Sequence, residues 1–133
     1  MADVFSISIT PRHYETDGLG HINNVSLAGW FETARIRVME SLDGETGMMH
    51  WVLASIKIDF QDETFYGSDV TATITGMRPG NTSLIIDCQM TQDGRKTAFG
   101  RAVMVHLGEL GGTPSPIPDQ LRTSLADYPS APD

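Results

Sequence analysis

The chain has 133 residues, 40% apolar and 20% charged, which is an ordinary composition for one globular domain large enough to bury a core. Nine basic against seventeen acidic residues leave a formal charge of −8, which repels a phosphate backbone and argues against non-specific nucleic-acid binding. No apolar run approaches the roughly 18 residues of a membrane span, and the single cysteine, Cys88, has no internal partner, so a reducing cytoplasm is the expected setting.

Met1-Ala2-Asp3 leads directly into a strand-like pattern, with no signal peptide visible. Phe5, Ile7 and Ile9 alternate with Ser6, Ser8 and Thr10, the period of a half-buried strand, and Pro11 closes it because it cannot donate to a ladder. A glycine-hinged loop follows, His13-Tyr14-Glu15-Thr16-Asp17-Gly18-Leu19-Gly20-His21-Ile22-Asn23-Asn24. Beyond it Leu27, Phe31, Ala34, Val38 and Leu42 recur at helical spacing, with Trp30 and Met39 widening the stripe, and Asp43-Gly44 is the expected stop.

After that helix the apolar period stays at two. Ile56, Ile58 and Phe60 mark one strand; Val70, Ala72 and Ile74 mark the next, ended by the turn Arg78-Pro79-Gly80-Asn81. Leu84, Ile86, Cys88 and Met90 form a third apolar face, and Asp93-Gly94 signals a hairpin into residues 97–107. That last segment is apolar on both phases, as expected of a central strand with both faces covered. The expected order is strand, helix, then four strands in a meander: an α+β layer fold with one helix on a five-stranded antiparallel sheet. A single helix covers one sheet face, so an oligomer is expected. Residues 1–110 form the domain; 111–133 read as a linker around Gly111-Gly112 and Pro114, Pro116 and Pro118, a short helix to Leu125, and a frayed end from Asp127.

The loop and helix start concentrate the candidate chemistry. If Asn23 caps the helix, its side chain satisfies the N–H of Val25 or Ser26 and the N–H of Asn24 stays unpaired. Such an N–H, helped by the helix dipole, is a good donor to a polarised carbonyl oxygen. Gly18 and Gly20 permit close backbone approach or positive φ, and a loop folding back brings the Asp17 carboxylate to the same place. On residue chemistry alone, a capped helix preceded by a turn-forming Asp-Gly is the favoured account of these residues.

The run 14–24, followed by Trp30-Phe31-Glu32-Thr33-Ala34-Arg35, closely resembles the signature of hot-dog-fold acyl-CoA thioesterases of the 4-hydroxybenzoyl-CoA thioesterase-like group. The shared pattern is an aromatic, acidic-Thr-Asp, Gly-His-(Val/Ile)-Asn-Asn, then aromatic-Phe-Glu-x-Ala-Arg; the strand order and a late Ile-Pro (Ile117-Pro118) extend the likeness along most of the chain. The resemblance implies a sheet wrapped around one long central helix, edge-to-edge homodimers that often form homotetramers, and active sites at the subunit interface. It also implies that Asp17 is the nucleophile or general base toward a thioester carbonyl polarised by the Asn24 N–H. Leu27 stands where the family often has tyrosine, which points to a different acyl pocket.

His21 is a candidate either to position water and protonate the leaving thiolate, or to fix the 18–24 turn. Asn23, Gly20, Leu27 and Glu32 are candidates for holding the substrate; Glu32 is expected to support the loop or pair with Arg35. Glu15 is expected to be solvated. Histidines and carboxylates lack metal-ligand spacing, so no metal is expected. Cys88 lies on an apolar phase and is expected in the core. Arg78, Arg95, Lys96 and Arg101 could meet nucleotide phosphates but read better as solvated strand ends, and Trp51 with Met48-Met49 line either an acyl pocket or the core. The leading expectation is a cytoplasmic thioesterase acting on acyl-CoA or acyl-carrier-protein, without nucleic acid, membrane or cofactor beyond the coenzyme A of its substrate. The alternatives are an enoyl-thioester hydro-lyase using Asp17 and His21, and a non-catalytic acyl-CoA-binding module.

Overall fold

The structure, a computed structural model, describes residues 5–43, 47–109 and 112–133. Gly44 and Gly111, expected as a helix stop and as linker, lie outside the described residues, as do the side chain of Met48 and the segment Met1-Ala2-Asp3. Strand β1 spans Ser6–Ile9, helix α1 Asn24–Asp43, β2 Trp51–Phe60, β3 Val70–Pro79, β4 Ser83–Gln92, β5 Arg95–His106 and α2 Asp119–Leu125. The five strands form one antiparallel sheet in the order β1-β3-β4-β5-β2, curled around α1. No described helix is long and apolar enough to cross a membrane.

Helix α1 buries the predicted stripe: Phe31, Ala34, Val38 and Met39 are essentially inaccessible, with Leu27 and Trp30 beside them. They meet Val70, Ala72 and Ile74 of β3, Leu84, Ile86, Cys88 and Met90 of β4, and Ala98 and Met104 of β5 in one core. Gly100 of β5 lies directly under Phe31; a Cβ there would fall 2.9 Å from two ring carbons. Glycine is therefore what lets the helix ride this close to the sheet. The Asp93-Gly94 hairpin forms as expected, both residues at positive φ (51° and 77°), which starts β5 at Arg95 rather than Thr97.

The sequence reading is corrected in three places. First, the four later strands are not a single meander. Only β3, β4 and β5 follow one another; β2 pairs with the far side of β5, and residues 61–69 cross the sheet to begin β3 between β1 and β4. Period-two patterning reports a strand's faces and is blind to which strand lies beside it. Second, β4 is the middle strand, and β5 is half-buried along Phe99, Arg101, Val103 and Val105. Edge strand β2 is the exposed one, with Val52, Leu53, Ile56 and Phe60 open to solvent in the single chain.

Third, the C-terminal end is not frayed. Past the end of β1, Met77 donates its N–H to Pro129 O (2.8 Å) and accepts from the Ala131 N–H (3.3 Å). Ala131 is buried over Gly76, whose missing Cβ would stand 2.9 Å from the Ala131 Cα. The Arg101 guanidinium then donates to Pro132 O (2.8 Å), and Arg78 pairs with Asp133.

Candidate active site

The loop between β1 and α1 is folded on itself. The Asp17 N–H donates to His21 O (2.8 Å), Thr16 bridges to Ile22, and Gly18 and Gly20 take φ of +93° and +86° to turn the chain between them. Glu15 anchors this loop. One carboxylate oxygen accepts the Arg12 N–H (2.8 Å), the other accepts the buried Trp30 indole N–H (2.9 Å), and the Glu15 carbonyl accepts from both the backbone and the side-chain amide of Asn23. The expectation of a solvated Glu15 is thus corrected: a buried indole N–H needs an acceptor, and Glu15 supplies it.

Asn23 caps α1. Its Oδ1 accepts the Ser26 N–H (2.8 Å) while its Nδ2 donates to Glu15 O, so both ends of the amide are engaged in structure rather than free for a ligand. Asn24 is the first residue of the helix, and among the described residues its N–H has no acceptor. This unpaired donor borders a cleft of about 360 Å³ lined by Ile22, Asn24, Leu27 and residues 60–64. Leu27 forms part of its apolar wall. Thr64 also lines it, and the Thr64 hydroxyl is buried with no hydrogen-bond partner among the described residues.

Asp17 stands at the loop tip, half-exposed. Its Oδ1 accepts the Leu19 N–H (2.9 Å), which holds its carboxyl below the usual carboxylate range against the opposing effect of burial, with the nearby His21 adding to the lowering. The His21 Nδ1 lies 3.6 Å from Asp17 Oδ2 and 3.5 Å from Glu63 Oε2, and its ring stands edge-on to Phe65, 5.2 Å between centroids. Gly20 contributes backbone only, accepting the Tyr66 N–H (3.0 Å). Glu32 is not brought to the loop. It is exposed on α1 and forms no loop hydrogen bond among the described residues; its charge favours the cationic form of the buried Arg35, whose pKa burial lowers.

The sequence reading missed the crossover 61–69 as a wall of the site. Ile22 N–H donates to Thr64 O (2.7 Å), and His21 bridges to Phe65, so the crossover is laid alongside the loop. The buried Gln92 holds it: Nε2 donates to Phe65 O (2.7 Å) and Ser68 O (2.9 Å), and Oε1 accepts the Phe65 N–H (2.9 Å). The one available signal was Phe65-Tyr66-Gly67, an aromatic pair in a segment without strand or helix period. Three of the basic candidates for phosphate binding are already paired: Arg95 with Asp62 (2.9 Å), Arg101 with Asp87 (2.7 Å), and Arg78 with Asp133. Trp51 is core, Met49 is exposed, and burial pushes the Cys88 thiol up to about 12, so that it is no nucleophile near neutral pH.

A model of the thioesterase-like superfamily matches residues 11–125. Among solved structures, a predicted thioesterase from Bacillus stearothermophilus is 36% identical, with 98% of this chain and 100% of that chain covered at a TM-score of 0.87. A thioesterase from Thermus thermophilus, complexed with coenzyme A and Zn, is 27% identical over 96% of both chains at a TM-score of 0.84. A 1,4-dihydroxy-2-naphthoyl-CoA thioesterase from Synechocystis shares the fold at 16% identity and a TM-score of 0.78, covering 94% of this chain and 97% of its own. No curated protein matches the chain. With the signature loop, the wrapped helix and the family match over most of its length in agreement, the chain belongs to the thioesterase-like superfamily, with the hot-dog fold, and is a thioester hydrolase.

Proposed function

We propose that the protein hydrolyses acyl-CoA thioesters in the cleft beneath the start of α1, and that the acyl carbonyl oxygen takes the N–H of Asn24. The observation that carries this reading is that donor: unpaired, at the first helical position, beside a neighbour whose side chain has already satisfied the next turn. A carbonyl oxygen gains negative charge as the carbon is attacked, and a fixed N–H at the positive end of a helix stabilises that charge more than the ground state. Asp17 supplies the attacking carboxylate or removes the proton from an attacking water. Either route ends with the C–S bond broken, the acid released and the thiolate protonated. This chemistry asks for no redox group, and the coenzyme A is carried by the substrate.

We further infer an edge-to-edge dimer through β2. The support is its open edge and exposed apolar side chains, Val52, Leu53, Ile56 and Phe60, which an isolated sheet would leave as a liability. Elution as a strict monomer at micromolar concentration would refute it.

Thiol release from a panel of aliphatic and aromatic acyl-CoAs, with matching acyl-carrier-protein thioesters, tests the reaction and its carrier together. Hydrolysis of at least one member is expected. Asp17→Asn is expected to lower its rate about a hundredfold or more, and an unchanged rate would remove Asp17 from the mechanism. Single turnover in oxygen-18 water separates the two routes: label entering Asp17 marks the acyl-enzyme path.

A further inference from the structure

The crossover brings a second carboxylate to the loop, and its placement is specific. Glu63 Oε2 and Asp17 Oδ2 approach the same imidazole nitrogen, His21 Nδ1, at 3.5 and 3.6 Å, from two different segments of chain. The backbone around Glu63 is pinned on both sides. Its N–H donates to Asp62 Oδ1 (2.8 Å), its carbonyl accepts from Arg95 (3.0 Å), and Thr64 O accepts the Ile22 N–H next door. His21 is fixed in turn by its bridge to Phe65 and the edge-on contact of the two rings. Glu63 also borders the cleft that Asn24 faces.

We propose that Glu63 is a positioning residue of this site, its carboxylate joining that of Asp17 beside His21 Nδ1, so that their combined negative charge favours the proton on that nitrogen and biases the ring's tautomer and orientation. A neutral imidazole carries one N–H, and two acceptors converging on Nδ1 favour the form protonated there, leaving Nε2 as an acceptor. Without Glu63 the ring keeps its edge-on contact with Phe65, but Nδ1 is left with Asp17 as its one carboxylate neighbour, on a half-exposed loop tip. The charged groups around the ring are Asp17 on its own loop and Glu63 on the crossover; Arg95, paired with Asp62, lies over the Phe65 ring at 5.6 Å. His13 packs against Tyr66. This role rests on the thioesterase reading for its effect on rate, but not for its effect on the ring.

Two measurements decide it. The first needs no substrate: the imidazole nitrogen-15 shifts of His21 report which nitrogen carries the proton. The Nδ1–H form is expected to dominate in the wild-type protein and to shift toward Nε2–H in Glu63→Ala, with Glu63→Gln in between because its amide oxygen still accepts. Identical shifts in all three proteins overturn the proposal, whatever the protein hydrolyses. The second is kinetic. Glu63→Ala is expected to lower kcat about tenfold, less than loss of a proton-transfer group, with KM and Tm nearly unchanged and part of the rate restored in Glu63→Gln. In a His21→Ala background Glu63→Ala should cost nothing further, since the two act as one unit. Multiplying effects in the double variant, or an unchanged kcat in the single one, overturn it. Failure of the wild-type protein to release thiol from any thioester refutes the thioesterase reading alone, and the nitrogen-15 arm still decides Glu63.

Discussion

Two carboxylate clusters lie on this molecule and are built in opposite ways. Asp87 and Arg101 face each other across β4 and β5, Asp87 1% exposed, with two parallel contacts of 2.7 Å and the spare guanidinium N–H on Pro132 O. Asp17, His21 and Glu63 sit on loops, with 39%, 29% and 60% of their side chains exposed, at distances just beyond a formed hydrogen bond. The first cluster is a formed bidentate pair, and its bond to Asp87 raises the Arg101 pKa. Its hydrogen bonds run between the two strands and on to Pro132, so its work is to hold the sheet to the C-terminal segment. The second keeps unspent donors and acceptors, which suits the proton exchange proposed for it. Charge alone would not have told the two apart; geometry does.

The comparison can be broken most sharply at Arg101. Arg101→Ala leaves Asp87 buried and uncompensated, and is expected to destabilise the fold by about 3–5 kcal/mol in urea unfolding. The folded fraction should keep its turnover per molecule. Asp17→Asn should do the reverse, losing rate with its unfolding curve unmoved. If the two variants exchanged phenotypes, the division into holding and reacting clusters would be wrong.

Cys88 extends the contrast to a buried group that belongs to neither cluster. Its thiol is neutral in the fold up to about pH 12 but ionises near its ordinary value of 9.0 once unfolded. The unfolded chain therefore binds fewer protons than the native one between those limits. Stability is full below pH 9 and should fall as pH rises through the window, by about 1.4 kcal/mol per unit. Comparing alkaline unfolding with that of Cys88→Ala isolates this slope; parallel curves would mean the thiol titrates in the native state.

The smallest effect is expected at Thr64. Replacing its unpaired hydroxyl with the methyl of Thr64→Val should stabilise the fold by about 1 kcal/mol, because a buried polar group without a partner is lost. A rise in KM on the same substitution would mean that this hydroxyl belongs with the reacting cluster and meets the substrate.

Local rules carried much of the architecture. The helix stripe from Leu27 to Leu42, the Asn23 cap and the Asp93-Gly94 turn depend on near neighbours and are visible in the residues themselves. The signature loop was legible for the same reason, being continuous along the chain. What escaped was set by distant partners. Glu15 reads as a surface acid until Trp30, fifteen residues on, needs an acceptor. Glu63 and Thr64 belong to the site only because residues 61–69 cross the sheet rather than turn back, and Gln92, which holds that path, carries no local mark. The end of the chain resembled a loose tail because nothing in its own composition announces Gly76 or Arg101.

Gly100 carries a consequence for how this family member can change. It sets the height of α1 above the sheet at Phe31, seven residues from Asn24 or about 10 Å along the helix axis. Any side chain at Gly100 would lift the helix like a shim under a beam, and the far end of that beam carries the amide that faces the cleft. A residue buried away from the cleft is therefore coupled to the placement of that amide as much as to folding. Drift at this position would be heard first in kcat, before the protein began to melt.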